Sequence, residues 1–288
     1  MVGEYMQRDF LFEIQGKLVK AFSSKDFLEK TNLEENDIIP FIRNNAFIEE
    51  LSILYENTEF TCLEILNFCK LLLINIFINE PSEGWLPYAY KYTLNKSFPH
   101  QHPHIEHEYE TPVIVFLTFL RIIMNETEKI NKDSEGNPSL YLEFLTDSEI
   151  NNLYNPIEYK NFIKSFYDLH VPEMMYLYQE LTKLNVYYHS CAVNHFALNI
   201  SRQLLKAGIP VDPGNVSGAA IAHNLGQIAC KDSLYEKSNI HFNTKKWFET
   251  GNAPLIGHIA MYNSIWDLES EILPLESLIL IYSNFRIN

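Results

Sequence analysis

The sequence predicts an all-α protein, and three observations carry that expectation. Helix breakers are sparse, with 10 Gly and 13 Pro among 288 residues. Apolar residues recur at three- and four-residue spacing through most of the chain. The clearest periodic stretch also closes on a helix-stop signal, Gly208 followed by Pro210.

In chain order, Phe10, Phe12, Ile14, Leu18, Val19 and Phe22 lie at the spacing of a first helix. Residues 38–54 predict a second and 60–78 a third, with Thr58 as its N-cap. Pro112 suits the first turn of another apolar stretch. The run Lys132-Asp-Ser-Glu-Gly-Asn-Pro138 reads as a loop. Helical spacing resumes over 154–169 and 173–184, and again from about 189 to 207. After a loop at 211–215, the small residues of 216–230 suit a helix packed closely on its neighbours, whereas 231–252 reads as polar and irregular. Pro254 opens a helical stretch to about Trp266, and a last one covers 273–286. A boundary near residue 170 is expected, dividing an N-terminal helical region (1–170) from a helical bundle (171–288).

Composition narrows the function classes. A net charge of −15, with no clustered Lys and Arg, argues against nucleic-acid binding, which needs bases to displace counterions. The most apolar runs, 71–78 and 112–124, are too short to span a bilayer, and Arg121 interrupts the second. No apolar core of signal-peptide length opens the chain. Cys62, Cys69, Cys191 and Cys230 form no CxxC pair, so free buried thiols in a reducing, cytoplasmic setting are expected.

Four histidines fall in the segment Pro99-His-Gln-His-Pro-His-Ile-Glu-His-Glu108. His100, His102 and His104 alternate along what the two prolines make an extended loop, so they could share a side. No second Cys or His pair supplies the spacing of a structural zinc site, and a solvated loop is the simpler reading.

The chemistry-bearing constellation lies further on. It consists of His195-Phe-Ala-Leu-Asn-Ile-Ser-Arg, then Ala219-Ala-Ile-Ala-His223-Asn224-Leu-Gly-Gln227, then Leu280-Ile-Tyr-Ser-Asn284-Phe-Arg286. His195 precedes His223 by enough residues for a helix, a turn and a return helix. Gly218, Ala219, Ala220 and Ala222 allow close backbone approach. Adjacent residues on a helix point about 100° apart, so the 223–224 pair can flank a cleft.

In this order the segments resemble the HD-domain superfamily of metal-dependent phosphohydrolases. The resemblance covers about residues 187–286. It implies an all-α bundle in which a His, a His-Asp pair and a later Asp converge on a divalent metal (Mn, Mg, Fe or Zn). That metal would activate water against a nucleotide or other phosphate ester. His195, His223, Asn224 and Asn284 occupy the four positions, with Asn where both carboxylates belong and Gln227 where a base often follows. Ile256-Gly-His258-Ile-Ala and Trp266-Asp-Leu-Glu269 are similar to the matching part of large bacterial HD proteins with cytidylyltransferase-like regions. Such proteins usually continue past this point, so a fragment or shortened paralogue is expected.

Two Asn in place of two Asp would leave a divalent ion's charge uncompensated in a partly buried cleft. Three readings therefore stand: a degenerate HD domain acting as a binding or regulatory module, an active phosphohydrolase with remodelled ligands (His258 and Asp267 joining His195 and His223), or a helical protein whose resemblance is accidental. Glu269 and Asp232 are weaker substitutes, with solvated or capping roles as the plain alternative. Arg202, Lys206 and Lys231 could meet a phosphate but read first as solvated bases.

Overall fold

The computed structural model describes residues 2–57, 60–99, 107–133, 141–230, 237–263 and 273–287. Every regular element among them is helical. The chain divides into two compact units, residues 1–130 with 180–183, and residues 131–179 with 184–288. The boundary thus falls about forty residues before the expected one near 170. The reason is that α9 (Pro156–Asp168) packs against α12 (Pro213–Ala222) and α15 (Pro254–Met261), and so belongs to the second core. No helix among the described residues is long and apolar enough to cross a membrane.

The first unit holds α1 (Val2–Phe22), α2 (Lys25–Thr31), α3 (Glu35–Ile42), α4 (Asn45–Asn57), α5 (Cys62–Leu72), α6 (Trp85–Ser97) and α7 (Glu110–Asp133). Its core explains the richness in Phe. Phe22, Phe119, Phe68 and Phe47 form a chain of tilted and edge-on rings 5.0–6.1 Å apart, geometries that the ring quadrupole favours. Several expectations shift here. The helix expected over 38–54 is two helices parted at Arg43 and Asn44. The N-cap of α5 is Thr61, in a reciprocal box with Glu64, rather than Thr58, which lies outside the described residues. That helix ends at Leu72, and α2 and α6 were not legible in advance.

The second unit is the bundle. It contains α8 (Asp147–Asn151), α9, most of α10 (Val171–Thr182), α11 (Val186–Lys206), α12, α13 (Leu225–Ala229), α14 (Lys237–Thr250), α15 and α16 (Leu275–Ile287). Helix α12 is its axis, packed on α9, α11, α15 and α16, and every residue from Gly214 to Ala222 is buried. Small residues make this possible: a Cβ at Gly218 would lie 2.8 Å from Ile256 Cγ2. Two expectations are corrected. The single helix over 216–230 breaks at His223 and Asn224, and the irregular stretch 231–252 contains α14. Helix α14 is held by Gly226, whose N–H donates to Thr244 Oγ1 (3.0 Å) and where a Cβ would overlap the Ile240 carbonyl at 1.8 Å. The glycine lets the two backbones touch; polarity had hidden a helix that buries Trp247 and Phe248.

Buried side chains set the remaining geometry. Glu158, on α9, accepts from the Leu255 and Ile256 N–H groups (2.6 and 3.1 Å), capping α15 from another helix where Ala253 offers no side-chain cap. Tyr159 Oη accepts from the Leu145 N–H (3.3 Å) and meets Ser217 Oγ (3.1 Å), fixing the 141–145 segment beside α12.

Candidate functional site

The break between α12 and α13 places His223 and Asn224 where the helix direction changes. His223 is 3% exposed and folds back on its own helix, with Nδ1–H donating to the Ala220 carbonyl at 2.8 Å. That carbonyl is one of the last-turn acceptors without an intrahelical donor, so the imidazole acts as a C-terminal cap. With Nδ1 protonated, Nε2 carries the lone pair, and Asn224 Nδ2–H donates into it at 2.8 Å.

Across the cluster stands a histidine that the sequence reading did not single out. His189, in the first turns of α11, lies with its ring centroid 5.5 Å from that of His223. Its Nε2 is 2.9 Å from Asn284 Oδ1 on α16, so Nε2–H donates to the amide oxygen. His189, His223, Asn224 and Asn284 thus come together. His195 does not join them. Six residues along a helix add about 9 Å of rise and about 240° of rotation, which turn His195 to another neighbour.

That neighbour is the 141–149 segment. His195 Nδ1 meets Glu143 Oε2 (3.1 Å), and Nε2 accepts from Asn199 Nδ2 (2.9 Å). One further turn along the same face, Arg202 reaches Glu143 Oε1 (2.7 Å) and Glu149 Oε1 (3.0 Å). Arg202 is therefore an ion-pair partner rather than a waiting phosphate ligand. Asn194 Nδ2 adds a bond to the Glu143 carbonyl (2.7 Å).

Electrostatics separate the clusters. Burial, reinforced by nearby His189, pushes the His223 imidazole down to about 4, against the pull of the Ala220 carbonyl and Asn284. A helix C-terminus favours a cation by about 0.3–2 kcal/mol. Desolvation of a fully enclosed ring outweighs that here, so His223 is neutral at pH 7. Burial also lowers His189, while its bond to Asn284 works the other way.

The other expected residues lie apart or outside. His258 sits edge-on to Tyr262 on its own helix (4.7 Å), and no hydrogen bond or ring contact joins it to His189, His223 or Asn284 among the described residues. Asp267 and Glu269, Asp232 and Lys231, and the loop histidines His100, His102 and His104 fall outside the described residues. Among the described residues, no group of three His, Cys, Asp or Glu side chains could hold a metal ion. A signal for His189 existed in the helical stripe. His189 and Phe196 are seven apart on one face, and both meet α16, through Asn284 and Tyr282. His195 shares its stripe with the polar Asn199 and Arg202.

Comparison of the chain with family models, with curated proteins and with solved structures finds no match.

Proposed function

We propose that the second unit is an HD-like helical domain whose metal centre has been exchanged for an imidazole–amide cluster, and that it serves as a binding or regulatory module. The observation that supports this is the way both cluster-facing imidazole nitrogens are used. His223 Nε2 takes an N–H from Asn224, and His189 Nε2–H is given to Asn284. A carboxylate at 224 would set its oxygens against the His223 lone pair, and only a proton or a cation could hold the two together. The amide supplies that positive edge itself, so the cluster is closed without an ion. Kinship with the HD part of large bacterial cytidylyltransferase-related proteins belongs to the same proposal, resting on Ile256-Gly-His258 and the 280–286 segment. The free cysteines Cys62, Cys69, Cys191 and Cys230 fit a reducing, cytoplasmic setting.

The test is metal content together with hydrolysis of nucleotides and a generic phosphomonoester in added Mn or Mg. The unaltered protein is expected to show neither stoichiometric metal nor turnover. The Asn224→Asp/Asn284→Asp double variant is expected to gain metal. Stoichiometric metal with turnover in the unaltered protein would instead establish a phosphohydrolase with remodelled ligands.

A further inference from the structure

The opposite end of the α11–α12 hairpin carries a second feature, whose chemistry is independent of the HD-like reading. A groove of about 750 Å³ opens beside the turn joining these helices, bordered by α8, α15 and the start of α16. Sites for small molecules commonly have this size, with mostly apolar walls and a few polar groups. Here Leu153, Leu205, Val211, Leu255 and Ile259 supply the apolar wall.

The polar side is acidic and unneutralised. Asp212 Oδ1 caps α12 by accepting from the Gly214 and Asn215 N–H groups (2.8 and 3.0 Å), while Oδ2 is buried and has no hydrogen-bond partner among the described residues. The Asp212 N–H in turn donates to Glu276 Oε1 at 2.9 Å. Among the described residues, neither carboxylate has a Lys, Arg or His partner. Arg202, the base that lines the groove, is already engaged by Glu143 and Glu149. Asn215 lines the same groove, is only 8% exposed, and has no side-chain hydrogen bond among the described residues.

We propose that this groove binds a small organic cation, an amine or guanidinium carried on an apolar chain. The cationic head sits against Asp212 and Glu276, the Asn215 amide oxygen accepts from it, and the chain lies along Leu205, Leu255 and Ile259. Excess negative charge excludes phosphates and carboxylates from the same place.

The test titrates the full chain with hexylamine and butylguanidine, using hexanol and hexanoate as neutral and anionic counterparts, followed by calorimetry and NMR. Both cations are expected to bind one-to-one and at least tenfold more tightly than hexanol, and hexanoate not to bind. Asp212→Asn with Glu276→Gln keeps the capping acceptors and removes the charges. It should weaken the cations at least tenfold and leave hexanol unchanged. Leu255→Lys, at a residue 41% exposed, places a cation in the groove and should abolish binding of all probes. This second variant decides the matter if the first does not fold. Equal affinity for amine and alcohol, no binding at all, or cation binding that survives Leu255→Lys would overturn the proposal.

Discussion

Helix α11 carries two histidines into two different chemistries. His189 and its partner His223 sit inside the bundle and are satisfied by amides and a backbone carbonyl. His195 sits toward the rim and is satisfied by Glu143 within an ion-paired group that includes Arg202 and Glu149. Burial accounts for the difference. Full charges at the rim keep part of their hydration, so pairing them costs little. At the centre an isolated charge would lose its hydration without recompense, and neutral amides complete the hydrogen bonds instead. Three of the four residues that resemble metal ligands, His223, Asn224 and Asn284, are thus placed where a charge is least tolerated unless an ion accompanies it, and His195 is not.

The largest difference between the two histidines is expected when the carboxylates are restored and each histidine is then removed in turn. In Asn224→Asp/Asn284→Asp, adding His189→Ala should take bound metal from about one equivalent to none, as read by elemental analysis. Adding His195→Ala should leave the metal in place. The reverse outcome would return His195 to the cluster.

The next effect is on pH. The folded His223 value lies below its ordinary 6.5, at about 4. Between those values the unfolded chain binds a proton that the folded chain refuses, so stability is fully present above 6.5 and falls as the pH drops toward 4. The loss from this ring is expected to reach about 3 kcal/mol at most. The depressed His189 adds to it with the same sign. Urea unfolding followed through Trp247 should show this slope, and His223→Gln should flatten it by about one proton.

Smaller still is the cost of removing one amide. Asn224→Leu leaves the enclosed His223 Nε2 without its donor and should cost about 1–3 kcal/mol. Asn199→Ala leaves the half-exposed His195 to water and should cost within about 0.5 kcal/mol. Equal losses in urea melts would erase the distinction between the two clusters. Least is expected of Arg202→Gln. Its side chain is 32% exposed, so the change should cost about 1 kcal/mol or less, and added salt should shrink the difference.

Legibility in the sequence followed the same divide between apolar and polar signals. The all-α class was readable because helices such as α11 combine periodic apolar residues with clear stops. The small residues of 216–230 marked close helix packing, which the structure shows in α12, though that helix begins within the expected loop and stops at Ala222. Helix α14 was missed because its polar residues outweigh the two buried rings that anchor it. Its link to Gly226 is a backbone contact with no local signal. Likewise His223, Asn224 and Asn284 could be picked out as a set, whereas the choice between His189 and His195 depended on which face of α11 meets α16. Spacing alone does not decide that; the apolar or polar character of each stripe does. The α9 cap on α15 by Glu158 joins residues 97 apart and was not legible at all.

The His223 imidazole is neutral and closed by Asn224, a state that long-range 1H–15N NMR reads without ambiguity. At about pH 5.5, below the ordinary 6.5 and above the depressed value of about 4, the ring should be neutral with its proton on Nδ1. An imidazolium at that pH, or a neutral ring with its proton on Nε2, would mean that Asn224 does not close the cluster.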